Sequence, residues 1–302
     1  MTQFRENYNH YDPIILAKLQ HVELEMLQEL DRVCRKYEIE YFATFGTAIG
    51  AVRHQGFIPW DDDVDVGMTR DNFEKLRRVP REEWRENIEL VSPDDDYIPS
   101  YHRSVWPKLY KSHTIYEQRG FNKMFRLRDP NCKTPIWLDI FVFDAVDDPQ
   151  TVKNQARKLF ALGRLYFYSR CRAIIPSRPT VSCVLRCLLK KTIYRIARIV
   201  PLDRWIYRYF RRVVAKTPGE YLTVYATLVL NTSIVSCEKR ENMFPCERVP
   251  FETFTIPLAK NCRDSLARIY GDYNVEPPEE ERYNHPPTEL DFGDGQGNVV
   301  AN

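Results

Sequence analysis

The sequence predicts a mixed α/β protein of the α+β kind, with a mixed sheet core and an appended helical region. Three observations predict it. Apolar residues recur at three and four over 14–37, β-rich apolar runs punctuate 40–146, and helical spacing returns among basic residues over 151–216. The hydrophobic fraction of 43% and charged fraction of 28% exclude a disordered chain, a collagen or a coiled-coil rod. At 302 residues the core needs no metal or disulfide clamp.

Ile15, Leu19, Val22, Met26, Leu30 and Val33 phase an amphipathic helix over 14–37. EYFATFG (40–46) is a β-rich run ending on glycine, and a second strand is predicted over 62–68. A helix from Asn72 to Val79 is limited by Pro80. Beyond the polar loop SPDDDY (92–97), VWPKLYK and PIWLDIFVFDAV (135–146) are strands; the second is apolar nearly throughout, as a central strand should be. Pro218-Gly219 ends the basic helical region. A helix over 220–231, a strand over VPFETFTIPL (249–258) and a helix over 259–270 lead into an acidic, proline-rich tail whose last ten residues are expected to fray. The boundaries are a core at 1–150, a basic helical region at 151–218, and a segment at 219–302 that packs back on the core.

The formal net charge of +2 conceals an asymmetry. Residues 151–216 hold 17 Lys and Arg against one acid, Asp203, which is +16 there and −14 elsewhere. Val184, Leu185, Leu188, Leu189, Ile193, Ile196 and Val200 recur at helical spacing, with Arg186, Lys190, Arg195 and Arg198 on the opposing side. Pro201 stops this helix and Asp203 is placed to cap the next, which carries Trp205, Ile206, Tyr209 and Phe210 among Arg204, Arg208, Arg211 and Arg212. Two amphipathic basic helices suit an anionic membrane face or a phosphorylated polymer; the alternative is ordinary solvated helices. No nucleic-acid motif accompanies the charge, so nucleic acid is not an expected partner. The eight cysteines and six histidines show no zinc spacing, and the cysteines read as reduced thiols. No apolar run reaches the ~18 residues of a membrane span. MTQFRENYNHYDP lacks the apolar core of a secretory leader. The expected address is cytoplasmic, with peripheral contact at the inner membrane face.

The most informative stretch is FGTAIGAVRHQGFIPWDDDVDVGM (45–68). At a strand's period of two, Asp61, Asp63 and Asp65 share one face while Val64 and Val66 share the other. Stacked carboxylates repel one another unless a cation sits among them, and oxygen donors suit a hard ion such as Mg²⁺, or Mn²⁺. An exposed acidic turn is the alternative, and it fits poorly with valines interleaved in the run. Upstream, Gly46-Thr47 offers a close backbone approach and a hydroxyl to a phosphate. Joined to the D-h-D strand, this resembles the hG[GS]…hDhDh arrangement of the nucleotidyltransferases related to polymerase β. That architecture takes a third carboxylate from a neighbouring strand, and Asp139 in WLDIFVFD fits it, since an acid among Trp137, Leu138, Ile140 and Phe141 is costly to bury alone. A carboxylate satisfied by backbone amides is the other reading of Asp139.

Three segments, FGTAIGAVRHQGFIPWDDDVDVGM, WLDIFVFD and IYGDYNVEPPEEERYNH, resemble the LicD family of phosphocholine and related phospho-alcohol transferases, kin to the fukutin-type proteins. They bracket most of the chain. The basic middle carries no family motif, Thr47 stands where many nucleotidyltransferases have serine, and the gap from Thr47 to Asp63 is slightly long. The resemblance implies a nucleotidyltransferase-like (polymerase β-type) fold, with Asp63, Asp65 and Asp139 as metal ligands and catalytic residues and Asp61 supporting them. It implies transfer of a phospho-alcohol, foremost phosphocholine, from a CDP-alcohol such as CDP-choline to a hydroxyl of a cell-surface glycan or lipid-linked precursor (teichoic acid, capsule or lipopolysaccharide), releasing CMP. Asp139 would position that hydroxyl or accept its proton. Arg53, His54 and Lys108, with Gly46 and Thr47, are the expected phosphate and nucleotide contacts; His285 is a contact or a packing residue. A quaternary ammonium favours an aromatic cage, for which Trp60, Tyr97, Tyr101 and Trp106 are candidates. Phosphoethanolamine, ribitol phosphate or glycerol phosphate transfer on the same scaffold, a GT-A sugar transferase and a non-catalytic membrane- or polymer-binding adaptor are the alternatives.

Overall fold

Asp12 accepts a hydrogen bond from the Ile14 amide at 2.8 Å, and Pro13 fixes the first helical φ, so helix α1 (Pro13–Lys36) starts there. In the computed structural model, residues 12–118, 125–126, 132–175, 180–214, 219–224, 237–282 and 284–295 are described. The chain continues through β1 (Phe42–Ala43), α2 (Phe45–Arg53), β2 (Asp65–Thr69), α3 (Arg70–Leu76), β3 (Ile88–Val91), β4 (Lys108–Lys111), β5 (Ile115–Gln118), β6 (Phe125–Arg126) and β7 (Ile136–Val146). Helix α4 (Pro149–Arg170) repeats the opening device, with Asp148 accepting from the Gln150 amide at 3.0 Å ahead of Pro149. After β8 (Arg172–Ala173) come α5 (Val181–Ile199), α6 (Leu202–Val214), β9 (Tyr221–Val224), β10 (Cys237–Lys239), α7 (Arg240–Met243), β11 (Glu247–Phe251), β12 (Phe254–Leu258), α8 (Cys262–Tyr270) and β13 (Pro287–Asp291).

Nine strands form the central sheet, in the order β10-β9-β7-β2-β1-β12-β11, with β4 and β3 attached to β7. β7 is its axis. One edge pairs parallel with β2, while the other pairs antiparallel with β4 near its start and with β9 near its end. Its residues are buried almost throughout, which explains the near-continuous apolar run of the sequence. Leu19, Met26, Leu27 and Leu30 of α1 are fully buried in the main core with Val64, Val66, Met68, Leu138 and Ile140. Gly67 permits the close crossing of β1 over β2, because a Cβ there would lie 2.4 Å from the Phe42 ring.

The C-terminal region supplies four strands of the sheet, β9 to β12, and so completes the core. α5 and α6 both pack on α4. Arg170 of α4 fastens these helices to the core by donating to the His102 and Pro99 carbonyls at 2.6 Å each, and it pairs with Asp203 of α6 at 2.7 Å; within the core, Arg70 pairs with Asp144 at 2.8 Å. No helix among the described residues is long and apolar enough to cross a membrane.

Several sequence expectations are corrected. The strand expected over 40–46 shortens to Phe42–Ala43, because Phe45 adopts a left-handed φ of +48° and turns the chain into α2, which places Gly46 in a helix. Ladder pairing over the expected strand 62–68 begins only at Asp65. The helix expected over 220–231 opens as strand β9, whose Leu222 and Val224 are buried beside β7; residues 225–231 lie outside the described residues, as do 296–302 of the tail. The single strand over 249–258 is a hairpin turning at Glu252, which has φ +49°. Asp203 does not precede α6 as a cap; it sits in the first turn and pairs with Arg170. In α5 the buried residues are Cys187, Tyr194 and Ala197, so its larger apolar side chains face outward.

Candidate active site

The register of the sheet brings the predicted acids together. Asp65 of β2 is directly opposite Asp139 of β7, and Asp139 is directly opposite Lys108 of β4. The three form a row across adjacent strands, which in a sheet lie about 4.8 Å apart. Asp139 is held by four contacts. Lys108 Nζ lies 2.8 Å from Oδ1 and 3.1 Å from Oδ2. Trp106 Nε1 donates to Oδ1 at 2.6 Å, and Trp137 Nε1 to Oδ2 at 3.1 Å. Lys108 Nζ also lies 4.3 Å from the Trp137 ring centre and 5.8 Å from that of Trp106. Burial pulls the Lys108 ammonium below its ordinary value, an effect that Asp139 opposes.

Asp61, Asp63 and Asp65 are half-buried, while Asp62, Val64 and Val66 between them are buried, as a period of two requires. Burial, followed by the neighbouring acids, pushes the Asp61 and Asp65 carboxyls well up, and that of Asp63 up to about 6. Asp62 faces inward and is saturated. It accepts from Tyr116 Oη at 3.0 Å and from the His285 amide at 2.7 Å, and its other oxygen lies 3.3 Å from His285 Nδ1. Burial alone would depress the His285 imidazole, but Asp62, then Asp63 and Asp139, hold it above the ordinary histidine range. A ring that holds its proton more tightly than an ordinary histidine therefore stands beside the acids, delivered by the C-terminal motif.

Asp63, Asp139, Lys108 and His285 line one cavity of about 650 Å³. The rest of its lining is largely aromatic, with Tyr101 and Trp106 joined by Phe160, Phe167 and Tyr168 of α4, and with Arg103 and Arg164 as further cations. Of the candidate cage residues, Tyr101 and Trp106 line this cavity. Trp60 lies beneath the Arg282 guanidinium at 4.2 Å, and Tyr97 is exposed; neither lines it. A larger cleft of about 1350 Å³ lies near the far end of β7, where the acid Asp144 is already paired with Arg70.

The remaining predicted residues serve the frame around the acids. A Cβ on Gly46 would stand 2.7 Å from Asp61 Oδ2, so only glycine lets Asp61 lie over the start of α2. The Thr47 hydroxyl is buried and accepts from the Asp65 amide at 2.8 Å. Arg53 donates to His54 Nε2 at 2.8 Å and to the Tyr273 carbonyl at 2.6 Å, and His54 lies 3.8 Å from Glu276. These two fasten α2 to the segment after α8 and do not line the cavity.

Two neighbours of the acids escaped sequence reasoning. Tyr270, ending α8, has its phenol pushed up by burial and then by Asp65, Asp61 and Asp63; only the IYGDY motif hinted at it. Glu23 of α1 is buried, and its Oε2 has no hydrogen-bond partner among the described residues. Burial and then Asp63, Asp62, Asp61 and Asp65 raise its carboxyl well above the usual range. Nothing in the sequence marks it, since it occupies an apolar position of an amphipathic stripe. Glu23→Gln, which copies the protonated acid, is expected to leave the unfolding free energy from urea titration within about 0.5 kcal/mol of the wild type; a larger loss would show that the charged form is the one buried.

Among the described residues, no group of three or more His, Cys, Asp or Glu is arranged to hold a metal ion. The donor chemistry nevertheless fits a hard cation: Mg²⁺ is commonly held by one or two carboxylates plus substrate phosphates, and Asp63 and Asp65 supply two acids whose mutual repulsion a cation would relieve.

Fold and site define a nucleotidyltransferase-type α/β domain with an acidic strand end over an aromatic, cationic cavity. Residues 38–160 match the family described as "LicD/FKTN/FKRP, nucleotidyltransferase domain", and the chain carries a LicD-family domain over that span. The chain is similar to the lipopolysaccharide cholinephosphotransferase LicD of Haemophilus influenzae, at 27% identity over 282 residues that cover 90% of this chain and 96% of that protein. An uncharacterized protein of Rickettsia prowazekii is 36% identical over 55 residues, 18% of this chain and 21% of its own length.

Proposed function

We propose that this protein is a LicD-like phosphotransferase that moves phosphocholine from CDP-choline to a hydroxyl of a cell-surface glycan precursor and releases CMP. The observation that carries the reading is the row Asp65–Asp139–Lys108, whose Asp139 and Lys108 line the aromatic cavity with Asp63, in a chain similar along nine-tenths of its length to a lipopolysaccharide cholinephosphotransferase. Lys108, fixed by Asp139, presents its ammonium to the donor phosphates. Arg103 and Arg164 add charge from the cavity lining. The aromatic faces of Tyr101 and Phe167 receive the trimethylammonium group. The acceptor oxygen forms a bond to the phosphorus of phosphocholine, the bridging bond to CMP breaks, and the hydroxyl proton passes to Asp139. Asp63 and Asp65 would hold Mg²⁺ or Mn²⁺, which supplies neutralisation of the diphosphate charge as the leaving group departs.

One observation favours a second reading on the same scaffold. The faces of Trp137 and Trp106 are already occupied by Lys108, which leaves fewer rings for a quaternary ammonium and suits phosphoethanolamine, ribitol phosphate or glycerol phosphate. A panel of CDP-alcohols incubated with protein, Mg²⁺ and a glycan acceptor separates the two. CDP-choline is expected to release CMP at least about tenfold faster than the others, a preference of ~1.4 kcal/mol. Equal or higher rates with CDP-glycerol or CDP-ribitol would replace phosphocholine. No CMP from any donor would leave the adaptor reading in its place.

A further inference from the structure

Helix α5 turns Cys187, Tyr194 and Ala197 toward the protein and most of its large aliphatic residues away from it. Val181, Leu185, Leu188, Ile196 and Ile199 fall on one face at helical spacing, an apolar stripe interrupted once, by exposed Thr192 between Leu188 and Ile196. Leu185 is 63% exposed and Ile199 86%, far beyond what a solvated helix needs for packing. Nothing among the described residues covers this stripe. Trp205, 68% exposed, follows at the start of α6.

Beside the stripe lies a second feature. A small cavity of about 220 Å³ is lined by Arg172, Lys191, Tyr194, Arg195 and Arg198. Two arginines elsewhere in the region are neutralised, Arg170 by Asp203, and Arg211 by Glu74 and Asp94. The four cations of this cavity have no ion pair among the described residues, and no acid lines it. Four like charges converging without a counterion, next to an apolar stripe, are complementary to an anionic headgroup with acyl chains beneath it.

We propose that α5 docks this protein on an anionic lipid bilayer, with the Arg172–Lys191–Arg195–Arg198 cavity receiving a phosphate headgroup and the Val181–Ile199 stripe entering the acyl boundary. The geometry ties this surface to the cavity with the acids. Lys190 of α5 lies 4.7 Å over the ring of Tyr168, which lines that cavity, so a bilayer against α5 runs close behind the cavity wall. The inference does not rest on the phosphocholine reading and extends it only in placing the site near membrane-borne acceptors.

Flotation of the full chain with phosphatidylcholine vesicles, with and without phosphatidylglycerol, tests it. Binding is expected only to the anionic vesicles and is expected to fall as salt rises. Arg195→Gln with Arg198→Gln is expected to weaken it roughly 30-fold, two cations' worth of attraction to an anionic surface. Leu185→Ser with Leu188→Ser is expected to weaken it as well, since insertion adds to the charge attraction. All four positions are surface residues or cavity rims, and circular dichroism checks that the variants fold. Equal binding to neutral vesicles, or none to anionic ones at low salt, would overturn the proposal. So would charge variants that bind like the wild type, or saturable binding of inorganic phosphate without vesicle binding, which would assign the cavity to a soluble phosphate. A dimer of the free protein that Leu185→Ser with Leu188→Ser dissociates, without vesicle binding, would give the stripe to a second copy.

Discussion

Asp63→Asn is expected to remove CMP release from CDP-choline, by about 10³-fold or more, and at the same time to make the metal-free protein more stable at neutral pH. The two effects have one cause. Asp63 is placed among Asp62, Asp65 and Asp139 in a buried setting, so its folded carboxyl is pushed up to about 6 from 3.8. When an acid's folded value is raised, the fold holds the proton more tightly than the unfolded chain does. Stability from this group is therefore fully present below the unfolded value and is lost as pH rises through the folded one. At neutral pH the full cost is in place. Removing the charge is expected to regain about 1–2 kcal/mol, discounted from the nominal shift because the residue is only half-buried. Below pH 3.8 the gain vanishes. Urea unfolding in chelator across this range reads the effect directly, and added Mg²⁺ is expected to stabilise the wild type while leaving the variant little changed. A variant that is less stable at neutral pH would mean that the acids do not repel one another. A variant that still releases CMP would remove Asp63 from the chemistry.

The acids were legible in the sequence because a strand's alternation is a strong local signal. Asp61, Asp63 and Asp65 share a face, and Val64 and Val66 are fully buried, from pattern alone. That Asp139 stands beside Asp65 is a fact of register, and the periodicity of either segment does not contain it; the family motif suggested it. Lys108 was legible as a cation near the site, but its engagement by two indoles was not, since Trp106 lies in the loop before β4 and Trp137 on β7, brought to Lys108 only by the pairing of the two strands. Asp62 was passed over because it points inward. Its partners, Tyr116 and His285, lie 54 and 223 residues away, a separation no local rule spans. The outward stripe of α5 shows the limit from the other side. Helical spacing located the stripe, but which side of an amphipathic helix meets the protein is set by its packing on α4, which buries Cys187, Tyr194 and Ala197 and leaves the aliphatic side out. The segment after 219 failed similarly: Leu222 and Val224 pair with the edge of β7, and tertiary pairing overrode the local helical preference.

Asp139→Ala is expected to be the most destabilising single change at the site, by about 3–5 kcal/mol, and to abolish activity. Among the described residues, Asp139 is the one carboxylate paired with buried Lys108, whose ammonium burial already disfavours; without it the charge is left against two indole rings. Lys108→Met is expected to cost less, about 1–3 kcal/mol, because Asp139 keeps the Trp106 and Trp137 donors at 2.6 and 3.1 Å. The asymmetry follows from counting what each partner retains. Combining Lys108→Met with Asp139→Leu removes both charges at once and is expected to recover most of the stability lost in Asp139→Ala, short of the roughly 1 kcal/mol owed to each indole N–H left without an acceptor. Activity is not expected to recover with it, since the phosphate-facing ammonium and the proton acceptor are both gone. Urea unfolding of the three variants together with CMP release separates the two roles. Equal destabilisation by both single changes would mean that the indoles contribute nothing to Asp139. Recovered activity in the double variant would show that the Asp139–Lys108 pair is structural, and the chemistry would then have to reside with Asp63, Asp65 and His285.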